Sequence, residues 1–89
     1  METVTDYKYI VRKEKTSEPV IKGTRISVRD IVENYKLGES PEGIQTVYPH
    51  LSLSQIYEAL AYYHDHQGEI EKFIALNNIP EHLSGTSLS

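Results

Sequence analysis

Eighty-nine residues suffice for one core but not two, so a single domain is expected over residues 1–80. Apolar residues make up 38% and charged residues 25%, a lean balance for a monomeric globule that favours a homodimer completing the core. The chain has no cysteine, which excludes disulfides and thiolate chemistry. No apolar run approaches the ~20 residues that span a bilayer or follows Met1 as a leader would, so a cytoplasmic protein with no membrane partner is expected.

The net charge of −4 argues against indiscriminate binding of polyanions, but the charges are segregated along the chain. From Lys8 to Arg29 seven basic residues stand against Glu14 and Glu18. After Lys36 only Lys72 is basic, against seven acids. A basic front and an acidic back are therefore expected.

Tyr7 to Arg12 is rich in aromatic and β-branched residues and reads as a first strand. Pro19-Val20-Ile21 and Arg25-Ile26-Ser27 flank Lys22-Gly23-Thr24, where Gly23 can take the positive φ of a tight turn, so a β-hairpin is expected. Strand and hairpin together occupy about 7–27. Ser27 with Asp30 three residues on is a capping-box variant that starts a helix at about 28–37. Its stripe is Val28, Ile31, Val32 and Tyr35, and Gly38 is placed to end it in a left-handed cap.

Ser40-Pro41-Glu42 starts a second, short helix at about 41–47, buried through Ile44, Val47 and Tyr48 and halted before Pro49. Ser52 and Gln55 form another capping box for the longest helix, about 53–66. Its stripe is read as Leu53, Ile56, Tyr57, Leu60 and Tyr63 or His64. Gly68 breaks the pattern, Ile70, Phe73 and Ile74 resume it over about 69–78, and Pro80 closes it. Residues 81–89, rich in Ser and Gly, read as a flexible tail. The fold class is mostly α with a small β part (α+β), an N-terminal strand and hairpin followed by a three- to four-helix, helix-turn-helix-like bundle.

Chemistry is sparse. His64 and His66 sit two apart on a helix and point about 200° from each other, so they cannot share a metal ion. There is no Gly-rich phosphate loop, nucleophile elbow or carboxylate pair; no cofactor, no metal and no enzymatic activity are expected. Lys22, Arg25 and Arg29 cluster at the hairpin and helix start, where they are candidates for phosphate contact, and Ser52, Ser54 and Gln55 open the long helix as candidates for base edges. Glu58 and Asp65 on that helix would repel phosphate. Seven tyrosines suit half-buried sites and interfaces. Tyr35, Tyr48 and Tyr57 lie on apolar stripes and are expected in the core, while Tyr62, off its stripe, and the Tyr7/Tyr9 strand are interface candidates.

The ordered motifs PVIKGTRISVRDIV, SPEGI and YPHLSLSQIYEALAYYHDH resemble the domain of unknown function 433 family, from about Pro19 to His66. Glu18 stands where Lys is usual, Ser27 where members often carry Pro, and Gly43 in place of a common acid. The resemblance implies a homeodomain-like or winged-helix-like VapB-type antitoxin that neutralises a PIN-like ribonuclease toxin. It also implies binding to promoter DNA as a homodimer. The alternative is a protein-interaction module without DNA binding.

Overall fold

The computed structural model describes residues 3–14 and 17–78 and, for Thr3 and Val4, the main chain alone. The tail expected over 81–89 lies outside the described residues. The elements run β1 (Thr3–Val4), β2 (Ile10–Arg12), β3 (Val20–Ile21), α1 (Val28–Lys36), α2 (Pro41–Val47), α3 (Leu53–Asp65) and α4 (Gln67–Asn77). This is the α+β class that the sequence implies.

The strands form one antiparallel sheet in the order β1-β2-β3. The expected Tyr7–Arg12 strand shortens to Ile10–Arg12, because the amides of Lys8 and Tyr9 are taken by the Glu58 carboxylate of α3 rather than by a neighbouring strand. Thr5 shapes the bend before it: its hydroxyl accepts from Tyr7 N at 3.1 Å and donates to Ile10 O at 2.6 Å. The Arg25–Ser27 arm of the expected hairpin is reduced to the single bridge Val20↔Ser27 and one bond from Ile21 N to Ile26 O at 2.8 Å. Val20 and Ile21 pair instead with Val11 and Ile10 of β2.

The helix starts follow their caps. Ser27 Oγ accepts from Asp30 N at 3.0 Å and the Asp30 carboxylate accepts from Ser27 N at 2.9 Å; Ser52 and Gln55 repeat the exchange at 3.1 and 2.7 Å. Each box satisfies amide donors that a helix N-terminus leaves unpaired. Ser40 accepts from Gly43 N, with Pro41 at the first helical position. Gly38, at φ +99°, turns the chain after α1, a conformation costly for any residue with a Cβ. The break between α3 and α4 falls at His66, not Gly68, which lies inside the first turn of α4.

Ser27 is 4% exposed, so water cannot replace its cap, whereas Ser40 is exposed. Ser27→Ala should destabilise by about 1–2 kcal/mol and Ser40→Ala by nearer ~0.5 kcal/mol, read as shifts in the urea midpoint. Equal shifts would contradict this ranking.

One core joins the elements: Ile10 and Ile21 from the sheet, Val28, Ile31 and Val32 from α1, Ile44 from α2, Leu51 from the turn, Ile56, Ala59, Leu60, Tyr62 and Tyr63 from α3 and Ile70 from α4. Three residues expected to be buried lie outside it. Tyr35 is 39%, Val47 52% and Tyr57 52% exposed; Val47 ends the seven-residue α2, which buries Ile44 alone, while Tyr48 packs against the cluster from its margin. On α3 the buried set is Ile56, Ala59, Leu60, Tyr62 and Tyr63. At about 100° per residue, this arc is rotated away from Tyr57 toward Ala59 and Tyr62. The N-terminal segment and α4 cover that side and draw Tyr62 inward.

Candidate functional site

The Gly23 turn is built from its own main chain. Thr24 N donates to Ile21 O at 3.0 Å, and Gly23 holds φ +79°, as a turn with a left-handed third residue requires. The Thr24 hydroxyl donates to Ile21 O at 2.8 Å and accepts from Ile26 N at 3.0 Å, while Lys22 N donates to Tyr9 O at 2.7 Å. A fixed loop thus carries Lys22 and Arg25, both exposed and neither in an ion pair among the described residues.

Arg29 is placed differently. Its side chain is 18% exposed, and the guanidinium pairs with Glu18 at 2.6 Å, Glu33 at 3.2 Å and Asp30 at 3.7 Å. Burial opposes the charge, but the hydrogen bond to Glu18 and the surrounding acids hold the group above its ordinary pKa. A cation ringed by three carboxylates has little field left for a phosphate. Glu18 therefore anchors the start of α1.

Of the three expected base readers, Ser52 and Gln55 are engaged in the α3 cap, and Ser54 alone projects freely into solvent. Neither carboxylate expected to repel phosphate stands alone. Glu58 accepts from Lys8 N at 3.1 Å and from Tyr9 N, and Asp65 accepts from the Tyr7 hydroxyl. The outward arc of α3 that remains carries Ser54, Tyr57, Ala61 and His64, all exposed. Sequence reading missed Tyr57 here because it lies one step from Ile56 and so shared the apolar stripe.

The interface candidates separate. Tyr62 is 2% exposed, which removes it from any surface. It stands in a polar layer between the sheet and α4: Arg12 donates to its hydroxyl, the hydroxyl donates to Glu69 at 2.9 Å, and Arg12 pairs directly with Glu69 at 2.5 Å. Burial first, then the Glu69 bond, pushes its phenol up to about 12. Tyr7 meets the Tyr62 ring edge-on at 4.9 Å; its bond to Asp65 is the main cause of its own phenol rising to about 12. Tyr9 is half-buried, with Lys8 Nζ 5.2 Å from its ring centre. The His64 ring lies against Tyr35 and Tyr63, and His66 against Tyr7 and Tyr62. Among the described residues no three His, Asp or Glu side chains come together as a metal site, and no helix is long and apolar enough to cross a membrane.

The family model described as "Protein of unknown function (DUF433)" matches residues 16–63, more than half of the chain, which belongs to that family. The match takes in the Gly23 turn, α1, α2 and most of α3, and excludes Tyr7, Arg12 and Glu69 of the polar layer. No curated protein and no solved structure matches.

Proposed function

We propose that this DUF433 protein is an antitoxin-like binding protein that silences a PIN-like ribonuclease by covering it and contacts promoter DNA through the Gly23 turn. The observation that carries the DNA part is the pair of exposed cations, Lys22 and Arg25, on a loop fixed by main-chain bonds. A preorganised turn loses little entropy on meeting a phosphate backbone. Base reading by the opening of α3 has weaker support, since two of its three candidate side chains serve the cap.

The test is binding to the DNA upstream of the chain's own reading frame over a salt series. Each lost phosphate contact lowers the slope of log K against log salt by about 0.9, so Lys22→Ala with Arg25→Ala should flatten it by about 2. Arg29→Ala should leave it nearly unchanged. No salt-dependent shift for the wild type would leave the alternative, a protein-interaction module that ignores DNA. The antitoxin part is tested by co-expression with a neighbouring nuclease gene: copurification and loss of ribonuclease activity are expected, and an unaffected nuclease overturns it.

A further inference from the structure

The segment that leads into β2 meets the Gly23 turn. β2 and β3 pair Ile10 with Ile21 and Val11 with Val20, and the bond from Lys22 N to Tyr9 O at 2.7 Å carries the register one step past both strands. Lys8 is therefore one residue away from a bond that ties its segment to the turn. It is exposed and in no ion pair among the described residues. Its ammonium lies 5.2 Å from the centre of the Tyr9 ring, and Tyr9 and Lys22, as cross-strand neighbours, share a face of the sheet. A third cation thus stands beside the two already on the turn.

What fixes Lys8 is an acid. The Glu58 carboxylate accepts from Lys8 N at 3.1 Å and from Tyr9 N, so the main chain that bears Lys8 is anchored to α3 on one side and to the turn on the other. Without that clasp, the segment would have to be ordered at the moment a phosphate binds, a cost that the clasped segment does not meet. We propose that Lys8 is a third phosphate contact beside Lys22 and Arg25, and that Glu58 strengthens binding of a polyanion by holding Lys8 in place. This rests on the DNA reading and deepens it: the phosphate-binding surface is a turn plus a neighbouring segment pinned to α3. Glu58 is a positioning residue and touches no phosphate. Linear sequence hides the pair, because the two residues lie 50 positions apart and an acid on α3 looks only repulsive. Lys8 also lies outside the family match at 16–63, so the third contact belongs to this chain's N-terminal segment.

The full chain and its variants are titrated against the duplex upstream of its reading frame over a salt series. Lys8→Ala should flatten the slope of log K against log salt by about 0.9, one phosphate, and weaken binding roughly fivefold to tenfold at ~0.1 M salt. Lys13→Ala, the same charge change at an exposed site past the far end of β2, should leave both nearly unchanged. Glu58→Gln supplies the sign. An acid that merely repelled phosphate would, once neutralised, tighten binding; a clasp, once weakened, loosens it and flattens the slope. With Lys8→Ala already in place, Glu58→Gln should bring no further loss, which a general loss of structure would not spare. Circular dichroism checks that each variant is folded. The inference is overturned by a Lys8→Ala slope equal to that of the wild type, by a Lys13→Ala effect as large as that of Lys8→Ala, or by a Glu58→Gln affinity at or above the wild type's. A wild type that ignores the duplex overturns the DNA reading and this inference with it. A wild type that binds while Lys8→Ala matches it overturns this inference alone.

Discussion

Tyr62→Ala should destabilise the protein by about 3–5 kcal/mol, the cost of emptying a buried aromatic site. That is a large fraction of the roughly 5–15 kcal/mol that holds a domain together. Two effects combine. The ring is 2% exposed and packs between Tyr7 and His66 at 4.9 and 4.4 Å. Its hydroxyl also links Arg12 to Glu69, and both would lose a partner in a half-buried setting. Tyr62→Phe separates the two: the ring stays, Arg12 and Glu69 still pair directly at 2.5 Å, and the cost should fall to about 1 kcal/mol. Tyr62→Glu should behave like the alanine variant or worse, unfolding the chain instead of altering its association. Urea midpoints for the three decide the matter; an alanine variant within about 1 kcal/mol of wild type would show that this side chain does not hold the core.

The helices were legible because their signals are local. Ser27 with Asp30, Ser40 with Pro41, Ser52 with Gln55 and Gly38 each act on amides or angles within four residues, and all four work as their spacing implies. The errors arise where a third element decides. Tyr62 breaks the stripe of α3 taken alone and becomes core only because the N-terminal segment and α4 close over it. Tyr57 fits the stripe and is exposed because no element covers that flank. The β part shrank for a related reason: nothing in Tyr7-Lys8-Tyr9 announces that a carboxylate 49 residues away from Tyr9 will take its amide.

Charge segregation along the chain also has a meaning that composition conceals. The basic front and acidic back are stitched together where Arg12 meets Glu69 and Lys36 meets Glu71. Arg29 is neutralised within the front and by α1 itself. What survives for a polyanion is the remainder, with Lys22 and Arg25 on one turn. A sum over the sequence overstates the basic face because it counts cations that the fold has already paired.

Glu58 shows the same principle from the acidic side and yields the second large effect. Its carboxylate accepts two successive amides, Lys8 N at 3.1 Å and Tyr9 N, just before Ile10, which is fully buried. Ionised acceptors of this kind bind amides about twice as strongly as neutral ones. Water can reach the Lys8 amide once the carboxylate is gone, but Tyr9 is half-buried and its donor would be left poorly satisfied. Glu58→Ala should therefore cost about 2–3 kcal/mol. Glu58→Gln, which keeps one acceptor but turns an NH2 toward the other amide, should cost less and restore only one bond. Hydrogen exchange gives a local reading: Lys8 and Tyr9 should lose protection in the alanine variant while the amides of α1 exchange only as global stability falls. If α1 and the Tyr9 amide accelerate together and equally, the carboxylate acts on the whole fold rather than as a clasp for the N-terminal segment.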